Sequence, residues 1–193
     1  MADTAETVIK TAFAPISLQG RPFVWRIGAL VLGVLLLTLS SYIKVAMIPV
    51  PVTMQTLAVT LIGAIYGWRF GGLTIMAWLL QGALGMPVLA GGAAGIQHFT
   101  GPTGGYLLAF PIAGALMGWL TQRGWNGNRM VFAFAGMLIS NGLCLLFGAT
   151  WLATNIGAEQ ALMLGALPFL AGGVLKSVLG AFILKLLPWN KSA

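Results

Sequence analysis

The stretch Gly165-Ala-Leu-Pro-Phe-Leu-Ala-Gly-Gly-Val-Leu-Lys176-Ser-Val-Leu-Gly-Ala-Phe-Ile-Leu-Lys-Leu-Leu187 is apolar over nearly its whole length and carries one lysine near its middle. A run of about twenty apolar residues is long enough to cross a ~30 Å hydrocarbon core as a helix. A cation inside such a run costs at least ~2.5 kcal/mol on insertion scales, so a functional role is the default reading for Lys176. On a helix Gly172, Gly173, Lys176 and Gly180 share one face, which leaves room beside the ammonium for a ligand or a close neighbouring helix. Lys176 precedes Lys185 by nine residues, about 13 Å at ~1.5 Å per residue, too far for its stem to reach the interface near Lys185. It reaches more easily in the other direction. Two roles without a ligand also suit it: snorkelling to the outer headgroups, or pairing with Glu159.

Five more stretches have the same apolar character, at about Arg26 to Lys44, Thr53 to Trp68, Phe70 to Met86, Gly105 to Gln122 and Arg129 to Leu152. With 59% hydrophobic and 7% charged residues and a mean hydropathy of +0.94, the 193 residues cannot furnish a soluble surface. The sequence therefore predicts an all-α integral membrane bundle of six transmembrane helices over residues 23–193, set in a lipid bilayer. Residues 1–22 read as an N-terminal cytoplasmic arm. Within it Val8 to Leu18 is apolar enough to lie in the interface as a short helix, with plain disorder as the alternative. The first span begins too far along, and lacks the small-residue cleavage pattern, to be a signal peptide.

Lysines and arginines set the expected orientation. Lys10, Arg21 and Arg26 precede the first span, Arg69 separates the second and third, Arg123 and Arg129 the fourth and fifth, and Lys185 and Lys191 follow the sixth. Both termini are thus expected on the cytoplasmic side. The other side keeps Lys44, His98 and Glu159. The formal charge of +7 is mainly this topology, spread rather than clustered, and gives no nucleic-acid footprint. Trp25, Trp68, Trp119, Trp125, Trp151 and Trp189 fall near span ends, where indole rings favour the headgroup layer.

The side-chain inventory excludes most chemistry. Asp3, Glu6 and Glu159 are the only acids, and His98 and Cys144 are each alone. Paired carboxylates, a base-activated nucleophile and a multi-ligand metal site cannot be assembled from them. No enzyme activity or cofactor is expected. Cys144 reads as a packing residue. Gly172-Gly-Val-Leu-Lys-Ser177 is no phosphate loop, because such a loop has glycine directly before the lysine and a strand upstream. Energy for any transport must come from another polypeptide.

The connections carry sharper signals. Ile48-Pro-Val-Pro-Val52 cannot be helical and should run extended or as a turn at the outer face. Gly85-Met-Pro-Val-Leu-Ala-Gly-Gly-Ala-Ala-Gly95 continues through Gln97, His98 and Thr100 to Gly101-Pro-Thr-Gly-Gly-Tyr106. A loop this long is a lid, a binding loop or a linker, and this one is too apolar for a linker. Glycines let backbone approach a ligand, so a cap over an outward pocket is the favoured reading over a packed re-entrant turn.

Val50-Pro-Val-Thr-Met-Gln-Thr-Leu-Ala-Val, Gly85-Met-Pro-Val-Leu-Ala-Gly-Gly and Gly101-Pro-Thr-Gly-Gly-Tyr-Leu-Leu-Ala-Phe110, in this order and spacing, resemble the BioY family. These are the biotin-specific S components of energy-coupling factor (ECF) transporters. The likeness carried by these motifs runs from the first span to the sixth and leaves the arm outside. It implies a plasma-membrane protein of bacterial type that captures biotin in an outward pocket under the loops after spans one and three. The implied partners are a transmembrane coupling protein and two ABC-type ATPases. Alternatives are a solitary biotin carrier, acting as a homo-oligomer, and an S component for another vitamin.

The resemblance marks Lys176, Gln55, Gly91, Gly92, Tyr106 and Asn141 as pocket positions. The family's sixth helix usually has an acid three residues before its lysine, where this chain has Gly173. Biotin offers a carboxylate for the Lys176 cation, apolar parts for aliphatic and aromatic walls, and a ureido group for amides such as Gln55, Gln81, Gln97 or Asn141. For Asn141 and Gln81, interhelical hydrogen bonding is an equal alternative. Ala29-Leu-Val-Leu-Gly33 is a small-xxx-small pattern; it resembles the one by which S components meet their coupling protein, which makes Ala29 and Gly33 the expected partner contacts.

Overall fold

The computed structural model describes residues 22–189 of the protein. Most of the expected arm, with its Val8 to Leu18 segment, lies outside the described residues. In chain order the elements are α1 (Phe23–Tyr42), β1 (Lys44–Val45), β2 (Val52–Thr53), α2 (Gln55–Ala83), α3 (Gln97–Thr100), α4 (Gly104–Gln122), α5 (Met130–Ile156) and α6 (Ala158–Leu186). Five of them, α1, α2, α4, α5 and α6, are long and apolar enough to cross a membrane. The protein is a multi-pass, helical membrane protein.

Two spans were expected between Thr53 and Met86, broken near Arg69, and the region holds two helical halves joined across a kink at Gly67. At Gly67 the backbone leaves the helical region, with φ 79° and ψ 168°, a conformation that only glycine adopts at low cost. A Cβ built on Gly71 would lie 3.0 Å from the Cα of Gly63. Residues eight apart on a straight helix are separated by ~12 Å, so the chain reverses at Gly67 and the two halves of α2 lie side by side.

α4 packs into this hairpin without side chains between the backbones. A Cβ on Gly63 would meet the Gly114 carbonyl oxygen at 2.0 Å, and one on Gly118 would meet the Trp68 nitrogen at 2.5 Å. Such approach is how helices associate in lipid, where contact area and not water expulsion drives packing. Trp78 stacks on Phe110 with centroids 6.1 Å apart beside this seam. A second apolar cluster of Met117, Met137, Ala181 and Leu184 joins α4, α5 and α6.

One end of the bundle collects the basic residues. Tyr66 donates to the Ala29 carbonyl, Gly67 lies against Gln122, and Gly127 against the Leu184 carbonyl. Arg26, Arg69, Arg123, Arg129 and Lys185 are thereby gathered at a common end. The Arg69 guanidinium sits 4.8 Å over Trp68 and that of Arg123 3.9 Å over Trp119, which holds both cations beside interfacial indoles. The indole N–H groups of Trp151 and Trp189 donate within the protein, to the carbonyls of Gly101 and Leu184.

Two local features depart from the sequence expectation. The Ile48 to Val52 segment joins a short antiparallel ribbon, Lys44 opposite Thr53 and Val45 opposite Val52. α6 starts at Ala158, seven residues before the expected Gly165, and passes through a π-helical turn over Ala161–Ala166. Pro168 follows that turn and has no N–H for the preceding carbonyls, the circumstance in which a helix widens or breaks.

Candidate functional site

A cavity of about 230 Å³ opens between the ribbon, the start of α2, the α2–α4 connection and α6. Its floor and walls are Gln55, Thr56, Tyr106, Phe110, Phe169 and Lys176. Pro49 to Pro51 contribute from the first connection, and Leu89, Ala90, Ala93 and His98 from the third. Both loops expected to close a pocket therefore do border one.

Lys176 is 8% exposed. Its Nζ donates to the Thr53 carbonyl and to Thr56 Oγ1, each at 2.9 Å. Thr53 is itself buried, so its carbonyl needs a donor from the protein, and the ammonium supplies it. Both partners are neutral oxygens, so the charge itself is not balanced by them. Glu159 stands seventeen residues earlier on α6, about 25 Å away along the axis, which removes the pairing alternative.

Gln55 is buried; its Oε1 accepts from Thr53 Oγ1 at 2.8 Å while its Nε2 has no partner. Tyr106 donates its hydroxyl to the Gly165 carbonyl at 2.7 Å and stacks on Phe169 with centroids 5.9 Å apart. The hydroxyl thus satisfies a carbonyl of the π turn. Replacing Tyr106 by Phe is expected to destabilise the fold by about 1–2 kcal/mol by orphaning that carbonyl. A lower unfolding temperature in detergent checks this.

The structure does not bring every expected residue to the cavity. Gly91 and Gly92 have φ of 67° and 81° and turn the loop so that Leu89, Ala90 and Ala93 face the cavity. Asn141 borders a second, adjoining cavity of about 180 Å³ and donates from Nδ2 to Ser177 Oγ at 2.9 Å. Gln97 is exposed and donates to the Ala94 carbonyl. Gln81 is half-buried and is not among the residues bordering either cavity. Ala29 and Gly33 meet Tyr66 and Thr74 of the same chain: a Cβ on Gly33 would lie 2.7 Å from Thr74 Cγ2. Gly33 thus packs α1 onto α2, and Ala29 meets α2 through its carbonyl.

Thr53, Thr56 and Phe169 were not singled out from the sequence. Thr53 and Thr56 flank Gln55 within the first motif, and a hydroxyl beside a membrane-buried lysine was the available signal. Phe169 lies seven residues before Lys176, two helical turns away on the same face.

The α2–α4 connection is fastened to the end of α1. Gly91 N–H donates to the Ser41 carbonyl at 2.9 Å, Ser41 Oγ to the Leu89 carbonyl at 3.1 Å, and Tyr42 hydroxyl to the Pro87 carbonyl at 2.7 Å. The α2 side holds it through Trp78 Nε1 on the Val88 carbonyl at 3.2 Å.

The family model described as "BioY family" matches residues 9–191. The chain belongs to the BioY family. The match takes in most of the segment that the motifs alone leave outside the likeness. Among BioY relatives, the "Probable biotin transporter BioY" of Pyrococcus horikoshii is 37% identical over 85% of this chain and 96% of its own length. The "Biotin transporter BioY" of Rhizobium etli is 34% identical over 73% and 79%. A solved structure described as the S-component for biotin from an ECF-type ABC transporter superposes with a TM-score of 0.69, covering 86% of this chain and 93% of that one at 24% identity. BioY proteins are transporters, and the fold of this chain is that of an S component.

Proposed function

We infer that this protein captures biotin at the outer face of a bacterial-type plasma membrane and delivers it across with energy from a partner module. That module is a transmembrane coupling protein with two ABC-type ATPases. One observation carries the reading: a lysine buried in the bundle borders a roofed cavity and, among the described residues, has only neutral oxygens for partners. A buried charge calls for a counter-charge, and the carboxylate of biotin supplies one. Gln55 Nε2 adds an unpaired donor, while Tyr106, Phe110 and Phe169 offer apolar surface for the ring and chain. The names of the relatives point to the same ligand.

The two halves of α2 act as separate spans in this reading, giving six, and the basic end faces the cytoplasm with both termini. The cavity then opens outward, beside Lys44 and the connection after α2. Titration of the purified protein with biotin, thiamine and riboflavin tests the ligand. Heat of binding is expected for biotin alone, and its absence for biotin overturns the proposal. Labelled biotin is expected to accumulate in a host stripped of coupling and ATPase genes only when a module is restored.

A further inference from the structure

α1 has twenty residues, about 30 Å at ~1.5 Å each, the thickness of a hydrocarbon core. Trp25 and Arg26 mark one of its ends as interfacial. The other end, at Tyr42, therefore reaches the opposite boundary between acyl chains and headgroups, on the side of the bundle that holds the cavity. The antiparallel ribbon starts two residues later. Its two arms differ in what they face. In the second arm Val50 and Thr53 are buried, and Pro49 to Pro51 line the cavity. In the first arm and at the turn Ile43 is 63% exposed, Val45 65% and Ile48 91%.

Alternation along the strand separates the faces of the first arm. Lys44 points to the α2–α4 connection, where a Cβ on Gly91 would collide with its ammonium. Ile43, which is extended, and Val45 point the other way. Hydrocarbon cannot lie against the ribbon as a whole, because two strands leave the outer edge of each without ladder partners and unpaired backbone is not found against lipid tails. Bulk water is no better, since large aliphatic side chains on an open strand edge are a site for aggregation. The boundary layer meets both demands. Water there reaches the backbone while the side chains sink among the upper acyl segments.

Neighbouring residues have the types that favour this layer. Tyr42 keeps an exposed ring with its hydroxyl on the Pro87 carbonyl, and Lys44 carries its charge on a flexible stem. Leu32, Leu36 and Leu39 are exposed along α1, so acyl chains already cover the helix from which the ribbon springs.

We propose that the face formed by Ile43, Val45 and Ile48 is a lipid anchor, seated in the boundary between phospholipid headgroups and acyl chains, which ties the cavity wall at Pro49 to Pro51 to the bilayer. The anchor does not depend on which ligand the cavity takes.

The test uses the full chain in phosphatidylcholine nanodiscs with an environment-sensitive dye on Ile48→Cys. Cys144 is buried, and the unsubstituted chain gives its residual labelling. Nitroxide lipids carry the quencher on the headgroup, high on the acyl chain or near the chain's end. The dye on Ile48→Cys is expected to be quenched at least about twofold more by the two shallow probes than by the deep one. Leu32→Cys, near the middle of α1, should give the reverse order. A dye at position 48 that no nitroxide quenches stands in water or under a protein partner, and one quenched in the order of Leu32→Cys stands in the core; either result overturns the proposal. Anchoring is read separately, with the dye on Val45→Cys. Adding Ile48→Asp should lower its quenching by the shallow probes at least about twofold, since a carboxylate is drawn to water. Unchanged quenching overturns the anchoring role of Ile48. Where the aspartate variant gives no monodisperse size-exclusion peak, Ile48→Ser is read by the same comparison.

Discussion

Lys176→Ala is expected to weaken biotin binding at least about a hundredfold, the equivalent of about 2.7 kcal/mol, measured by titration of the purified variant. The ammonium is buried among neutral oxygens, and a ligand carboxylate is the group that gains most from it. The same variant should bind biotin methyl ester nearly as well as the wild type does, because the ester carries no charge to lose. Removing the lysine also takes the donor from the Thr53 carbonyl, so some loss of stability accompanies the change. The ratio of acid to ester affinity is insensitive to that loss. Unchanged affinity for the free acid would remove Lys176 from the site, and equal losses for acid and ester would move its contact to a neutral oxygen of the ligand.

The second large effect concerns the fold. Gly63→Ala places a methyl 2.0 Å from the backbone oxygen of Gly114, and neither helix can yield without opening the seam between α2 and α4. Overpacking against backbone should destabilise by about 3 kcal/mol or more and leave little monodisperse protein after extraction. Gly28→Ala is the matched comparison. Gly28 lies in α1 with nothing among the described residues within 4 Å of its would-be Cβ, and the substitution should be neutral or stabilise by up to about 1 kcal/mol through helix propensity. Size-exclusion profiles of the two variants check both expectations, and a well-behaved Gly63→Ala would show that the seam tolerates separation.

Hydropathy made the membrane class and the positions of most spans legible, because lipid imposes one rule on every residue of a span. Geometry inside the bundle was less legible. The break in α2 was placed by the charge of Arg69, but the reversal occurs at Gly67, where the backbone conformation and not the charge decides. The sixth span was expected from Gly165, whereas the helix already starts at Ala158 and passes through a π turn tied to Tyr106. Lys176, Gln55 and Tyr106 were found from type and motif, and they meet at one cavity. Phe169 and Thr56 were missed, since aromatic and hydroxyl side chains are common in membrane helices and only their neighbours make them part of a site. Gly33 shows how small residues permit close approach, here to Tyr66 and Thr74 of α2, without the sequence saying to which helix.

The connection that covers the cavity hangs from α1, through backbone and hydroxyl groups of Ser41 and Tyr42. α1 packs chiefly against α2 and, like α6, leaves much of its surface outside the bundle. A tilt of this rod therefore tugs directly on the cover of the chamber. The same strap is tied to α2 through Trp78, so uncovering the chamber requires these two helices to part or one set of ties to break.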